Sequence, residues 1–153
     1  MEGRLSRHPL MQRMHPYQSY RAVATQTATP GQLVLMLYEG AIRFLEQARL
    51  GFTHDDPLEF NRTINNSIQR AQAIISELNE TLNMEAGGQL AVTLRSLYHY
   101  MDHRLHESNQ QKKEDGILDV LRRLTTLRDA WAEMLGKQNA PGAGDTVERL
   151  SAA

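Results

Sequence analysis

The chain has 153 residues, 41% of them hydrophobic and 23% charged, with a net charge of −1 and no cysteine. That length suits one domain whose core needs neither metal nor disulfide support. The missing cysteines exclude a disulfide framework, a thiolate metal site and a cysteine nucleophile; no apolar run approaches the ~18 residues of a membrane span; and no apolar core precedes a small-residue cleavage site, so the N-terminus does not read as a secretory signal.

Residues 1–15, with Pro9 and no sustained periodicity, read as a disordered leader. Residues 1–29 carry Arg4, Arg7, Arg13 and Arg21 against Glu2 alone, on a body that is net acidic. Four scattered arginines fit a solvated leader better than a nucleic-acid footprint. Residues 16–28 form an arm in which Tyr17 and Tyr20 have no apolar partners nearby in sequence. Their three-residue spacing suits one face of a short extra helical turn that docks elsewhere.

The first long helix is expected over 30–52. Thr29 can act as N-cap, Pro30 fits the first helical position and Gln32 completes a capping box. Leu33 to Tyr38 is an unbroken apolar run. With Ala41, Ile42, Phe44, Leu45, Ala48 and Phe52 it spreads over roughly 200° of the helix, where one buried face needs a little over ~100°. Two readings account equally for the surplus. The helix is the most central of a bundle, or part of its arc is a groove that the tyrosine arm, or a partner helix in its place, covers.

The second helix is expected over 57–84, with Asp56 as cap, Pro57 at the first position and Glu59 completing the box. Phe60, Ile64, Ile68, Ala71, Ile75, Leu78 and Leu82 form its apolar stripe. Asn61, Asn65, Gln69, Gln72 and Ser76 occupy the other side. Gly87-Gly88 ends it. The third helix, 89–109, carries Leu90, Leu94, Leu97, Tyr98, Met101 and Leu105. The fourth, 115–137, carries Ile117, Val120, Leu121, Leu124, Leu127, Trp131, Met134 and Leu135. Residues 138–153 are small, polar and unpatterned, and read as a flexible tail. Four long helices with short links, and no strand pattern, specify an all-α, antiparallel up-down four-helix bundle at 29–137, with a mobile N-terminal arm.

Enzyme chemistry finds little support. His99, His103 and His106 share one side of a helix at chelating spacing, but that side lies opposite the apolar stripe and faces solvent. Tyr100 stands where an HExxH motif needs glutamate. Gly87-Gly88 lacks the lysine and hydroxyl of a phosphate loop, and no GxSxG elbow is present. Asp55-Asp56 sits at a helix start, where carboxylates cap. No catalytic residue, cofactor or metal is expected.

The blocks PYQSYRAV at 16–23, TPGQLVLMLYEGAIRFLEQA at 29–48, AQAIISELNETLNME at 71–85, SLYHYM at 96–101 and LRDAW at 127–131 resemble the flagellar export chaperones that bind flagellin (the FliS family), in order and spacing. The resemblance runs from Pro16 to Met134. It implies a non-enzymatic cytoplasmic bundle that holds the disordered C-terminal segment of flagellin, prevents premature polymerisation and assists delivery to the flagellar type III export gate. It also brings in an anti-sigma factor as a secondary partner, and implies neither nucleic-acid binding nor stable membrane insertion. Tyr17 and Tyr20 then look like the family's cap, and Leu33, Leu35, Leu37, Tyr38, Ile42, Phe44, Leu97, Tyr98, Met101 and Trp131 are the candidates for client or cap contact. The alternative is a small regulatory or adaptor bundle, metal-responsive through the three histidines.

Overall fold

The computed structural model describes residues 28–138. The leader, Tyr17, Tyr20 and nearly all of the arm and tail assigned from sequence lie outside them. Four helices fill the described residues: α1 (Pro30–Gly51), α2 (Pro57–Glu80), α3 (Gly88–Gln111) and α4 (Asp115–Gln138). No strand occurs among them.

Each helix begins and ends for local reasons. The Thr29 hydroxyl accepts from the Gln32 amide at 3.2 Å and the Gln32 side chain accepts from the Thr29 amide at 3.0 Å, so the expected capping box forms. At α2 the box does not form. Asp56 holds the N-cap position without a side-chain bond to the helix, and Glu59 instead pairs with Arg62 at 3.3 Å. Pro57 and the acidic first turn still favour the start. Helix α2 stops at Glu80, not Met84, because the Asn83 side chain accepts from the amides of Glu85 (3.2 Å) and Ala86 (2.9 Å). That local turn competes with the helical ladder. Gly88 then takes φ +54, the left-handed region that glycine enters without steric cost. Helix α3 runs two residues past Asn109 and closes on Lys112, which is itself left-handed.

The helices pack in a ring. Each lies against its sequence neighbours, α4 closes on α1, and the α1–α2 pair is the most extensive. Buried Gly40, Ala41, Ala48 and Gly51 on α1, with Ser67 and Ala71 on α2, let those two helices approach closely. A Cβ at Gly51 would lie 2.9 Å from Ile64 Cγ1. Phe52 and Phe60 meet edge-on across the turn at 5.4 Å.

The α2–α3 seam is polar and regular. Asn109 donates to Asn65 at 2.9 Å, Gln72 to the Asp102 carbonyl at 3.4 Å and Arg95 to Asn79 at 3.3 Å. The three partners on each helix are a heptad apart, so one antiparallel register satisfies all three. Part of the amide side of α2 therefore pairs with α3. Aliphatic side chains dominate the core inside the ring, with Leu37, Leu45, Ile64, Ile68, Leu78, Met101, Leu105, Ile117 and Leu124 fully enclosed alongside Tyr38.

Candidate functional site

Helix α1 resolves the surplus of its apolar arc into an interior and two edges. Val34, Leu37, Tyr38, Ala41, Leu45 and Ala48 are buried and span about 100° of the helix circumference. Leu33 and Phe44 lie on one edge of that arc, and Leu35 and Ile42 on the other; all four are partly buried against the core. The first edge faces α2, where the Arg70 guanidinium sits 5.8 Å from the Phe44 ring centre. The second faces α4, since Arg49 on that side approaches Glu114 at 3.7 Å. Central packing thus accounts for about half of the arc, and two partly covered strips remain on either side of it.

The other candidates divide in the same way. Tyr98 and Met101 of α3 and Trp131 of α4 are buried. The Tyr38 and Tyr98 hydroxyls hydrogen-bond to each other inside the bundle. Burial pushes the Tyr38 phenol up to about 12, although the bond from Tyr98 opposes the rise. Burial, followed by the neighbouring Tyr38 hydroxyl, also raises Tyr98. Trp131 stands edge-on to Tyr38 with ring centres 6.4 Å apart, and its indole N–H donates to the Gly31 carbonyl at 2.8 Å. That bond fastens the end of α4 to the start of α1.

Leu97 is only partly covered. With Leu127 it lines a groove of ≈ 330 Å³ between α3 and α4, rimmed by Arg122, Arg123 and Thr126. Asp119 anchors the polar side of this groove. It accepts from Tyr100 at 2.6 Å, Arg123 at 2.9 Å and Arg104 at 3.2 Å. Burial alone would raise the Asp119 carboxyl, but the Tyr100, Arg123 and Arg104 bonds outweigh it and hold it down to about 2. The Arg123 guanidinium also lies 4.7 Å from the Tyr100 ring centre. Leu97 therefore sits beside a polar cluster in which the Asp119 carboxylate is held by Tyr100, Arg104 and Arg123.

His99, His103 and His106 are exposed on the outer side of α3. His103 approaches Glu107 at 3.7 Å. Among the described residues no three His, Cys, Asp or Glu side chains converge in a way that could hold a metal ion. No described helix is long and apolar enough to cross a membrane.

Sequence reasoning passed over a second groove, between α1 and α2, which includes Arg62, Arg70 and Leu50. The exposure of Leu50 was readable, because it falls off the apolar arc of its helix. The two arginines carried no such signal, since basic residues eight apart on an amide-rich helix look like ordinary solvated surface.

The sequence is similar to known proteins over most of its length. The family model described as flagellar protein FliS matches residues 13–138. The flagellar secretion chaperone FliS of Bacillus subtilis (strain 168) is 35% identical over 121 residues, which are 79% of this chain and 86% of the relative. The flagellar secretion chaperone FliS of Campylobacter jejuni is 32% identical over 124 residues, 81% of this chain and 94% of the relative. That of Salmonella typhimurium is 32% identical over 114 residues, 74% of this chain and 82% of the relative. The chain, which matches the family model over residues 13–138 and forms four helices in its described residues, belongs to the FliS family of flagellar secretion chaperones.

Proposed function

We propose that this chaperone holds the C-terminal segment of flagellin, keeps it from polymerising, and presents it at the flagellar export gate. Membership of the secretion chaperone family supports the export role. The observation that carries the client reading is the pair of partly covered apolar strips on α1, Leu33 with Phe44 and Leu35 with Ile42. A segment that folds on binding can lay an amphipathic helix along such a strip through anchors at three- and four-residue spacing. Ordering the client costs about 2–5 kcal/mol of the gross interaction energy, which leaves room for release at the gate. Tyr17 and Tyr20 are assigned the part of a cap on the same strips, lowering apparent affinity by the fraction of covered molecules. No catalytic step is assigned to the chain.

Calorimetry with flagellin from the same cell tests the reading. One-to-one binding is expected, lost when the C-terminal segment of flagellin is removed. Equal affinity for the truncated flagellin would overturn it.

A further inference from the structure

The outer groove between α1 and α2 lies apart from the edge of α1 that faces α4 and from the groove at Leu97. It measures ≈ 510 Å³ and is lined by Gln47, Leu50, Thr53, His54, Arg62, Thr63, Asn66, Ser67 and Arg70. Every ionisable side chain in that lining is basic, and the remainder are amides, hydroxyls and one leucine. Leu50 is 64% exposed, the most exposed large hydrophobic residue among those described. Among the described residues Arg62 pairs with Glu59 alone, at 3.3 Å. Arg70 rests on the Phe44 ring, and among the described residues no carboxylate pairs with it. Along α2 the two arginines are eight residues apart, or about 12 Å.

We propose that this α1–α2 groove is a docking site for a short acidic segment of a partner protein, bound by carboxylates at Arg62 and Arg70 and by an apolar side chain against Leu50. The observed charge selects this occupant. Two guanidiniums with no acid in the lining complement carboxylates, and guanidinium forks can hold them in bidentate geometry. The amides and hydroxyls between them can pair with a peptide backbone. An extended polyanion fits less well. The chain is net negative, and Glu46 and Glu59 stand beside the groove, paired with Arg49 at 3.4 Å and Arg62 at 3.3 Å. A nucleic acid or an anionic membrane would press its charge against those carboxylates over a wide area. A short peptide meets the groove alone.

Panning a random peptide library on the full chain tests this. Selected peptides are expected to be enriched in Asp and Glu at two positions spaced to span the arginines, with an apolar residue between them. A synthetic peptide of the selected sequence should bind the Arg62→Glu/Arg70→Glu variant at least about tenfold more weakly and lose affinity as salt is raised. Leu50→Ala, at an exposed position, should weaken binding while the helical circular dichroism melt is unchanged. Absence of acidic enrichment would overturn the proposal, as would equal binding to a charge-reversed variant whose melt shows it to be folded. Arginine-dependent binding of a DNA duplex or of phosphatidylserine vesicles, without peptide enrichment, would overturn it in favour of a polyanion. Because short library peptides replace flagellin in this experiment, its failure leaves the client reading untouched.

Discussion

The hydroxyls of Tyr38 on α1 and Tyr98 on α3 bond to each other in the core, joining two helices that face each other across the ring. Both residues are almost fully enclosed, so neither hydroxyl can turn to water if the other is removed. An orphaned buried hydroxyl costs about 1–3 kcal/mol, whereas replacing both partners by apolar groups of the same shape can be nearly neutral. Tyr38→Phe and Tyr98→Phe should therefore each lower the stability measured by urea unfolding. The double variant should be more stable than either single one. Additive losses would mean that the pair is not coupled.

The same pair makes the fold sensitive to alkali. The folded Tyr38 phenol is pushed up to about 12 from an ordinary value of 10.0, and Tyr98 is raised as well. A raised folded value favours the neutral form, so its contribution is complete below pH ~10 and is lost as pH climbs through about 12. For Tyr38 this amounts to about 3 kcal/mol. Urea midpoints recorded between pH 9 and 12 should fall for the parent and much less steeply for the Tyr38→Phe/Tyr98→Phe double variant.

This coupling shows where sequence reasoning stops. Helices α1 and α4 start where Thr29-Pro30 and Asp115 predict, because caps and apolar periodicity act over one or two turns. Leu37, Tyr38, Tyr98 and Met101 were legible as apolar positions on the right stripes. Their enclosure was not, since periodicity gives the width of a face but not what covers it. Tyr38 and Tyr98 are sixty residues apart, so only the ring arrangement brings the hydroxyls together. The end of α2 was missed because the Asn83 side-chain turn outcompeted continued helix. Asp119 reads from sequence as a polar interruption of α4, and only the approach of α3 makes it the hub of Tyr100, Arg104 and Arg123.

That hub carries an acid-dependent part of the stability. The Asp119 side chain is 12% exposed and its carboxyl is held down to about 2 from an ordinary value of 3.8. A depressed folded value contributes stability that is full above the unfolded value and lost as pH falls through about 2. The size is about 2 kcal/mol. The parent should weaken between pH 4 and pH 2 by about that amount more than Asp119→Asn. At pH 7 Asp119→Asn should already be less stable, because the Arg104 and Arg123 guanidiniums lose their shared charge partner. Parallel pH profiles for parent and variant would mean that the arginines do not stabilise the carboxylate.

Two glycines of α4 should respond to alanine with opposite signs. Gly116 sits where α4 starts against the end of α3. A Cβ there would lie 2.5 Å from the Arg104 carbonyl oxygen and 2.7 Å from Ser108 Oγ. The first obstacle is backbone and cannot swing away. The second is occupied, because Ser108 donates to the Lys113 carbonyl at 2.6 Å and accepts from the Ile117 amide at 3.2 Å. Gly116→Ala must therefore push α4 off α3 and disturb the hydroxyl that links the turn to the first turn of α4. A loss of about 1–3 kcal/mol is expected, the range for overpacking. At Gly136 a Cβ would meet nothing within 4 Å, and the residue lies within α4. There alanine removes only the entropic cost of a helical glycine, and Gly136→Ala should gain up to about 1 kcal/mol, less if the last turn frays. Thermal melts of the two variants beside the parent check both signs at once. A neutral Gly116→Ala would mean that the α3–α4 turn is looser than its contacts indicate.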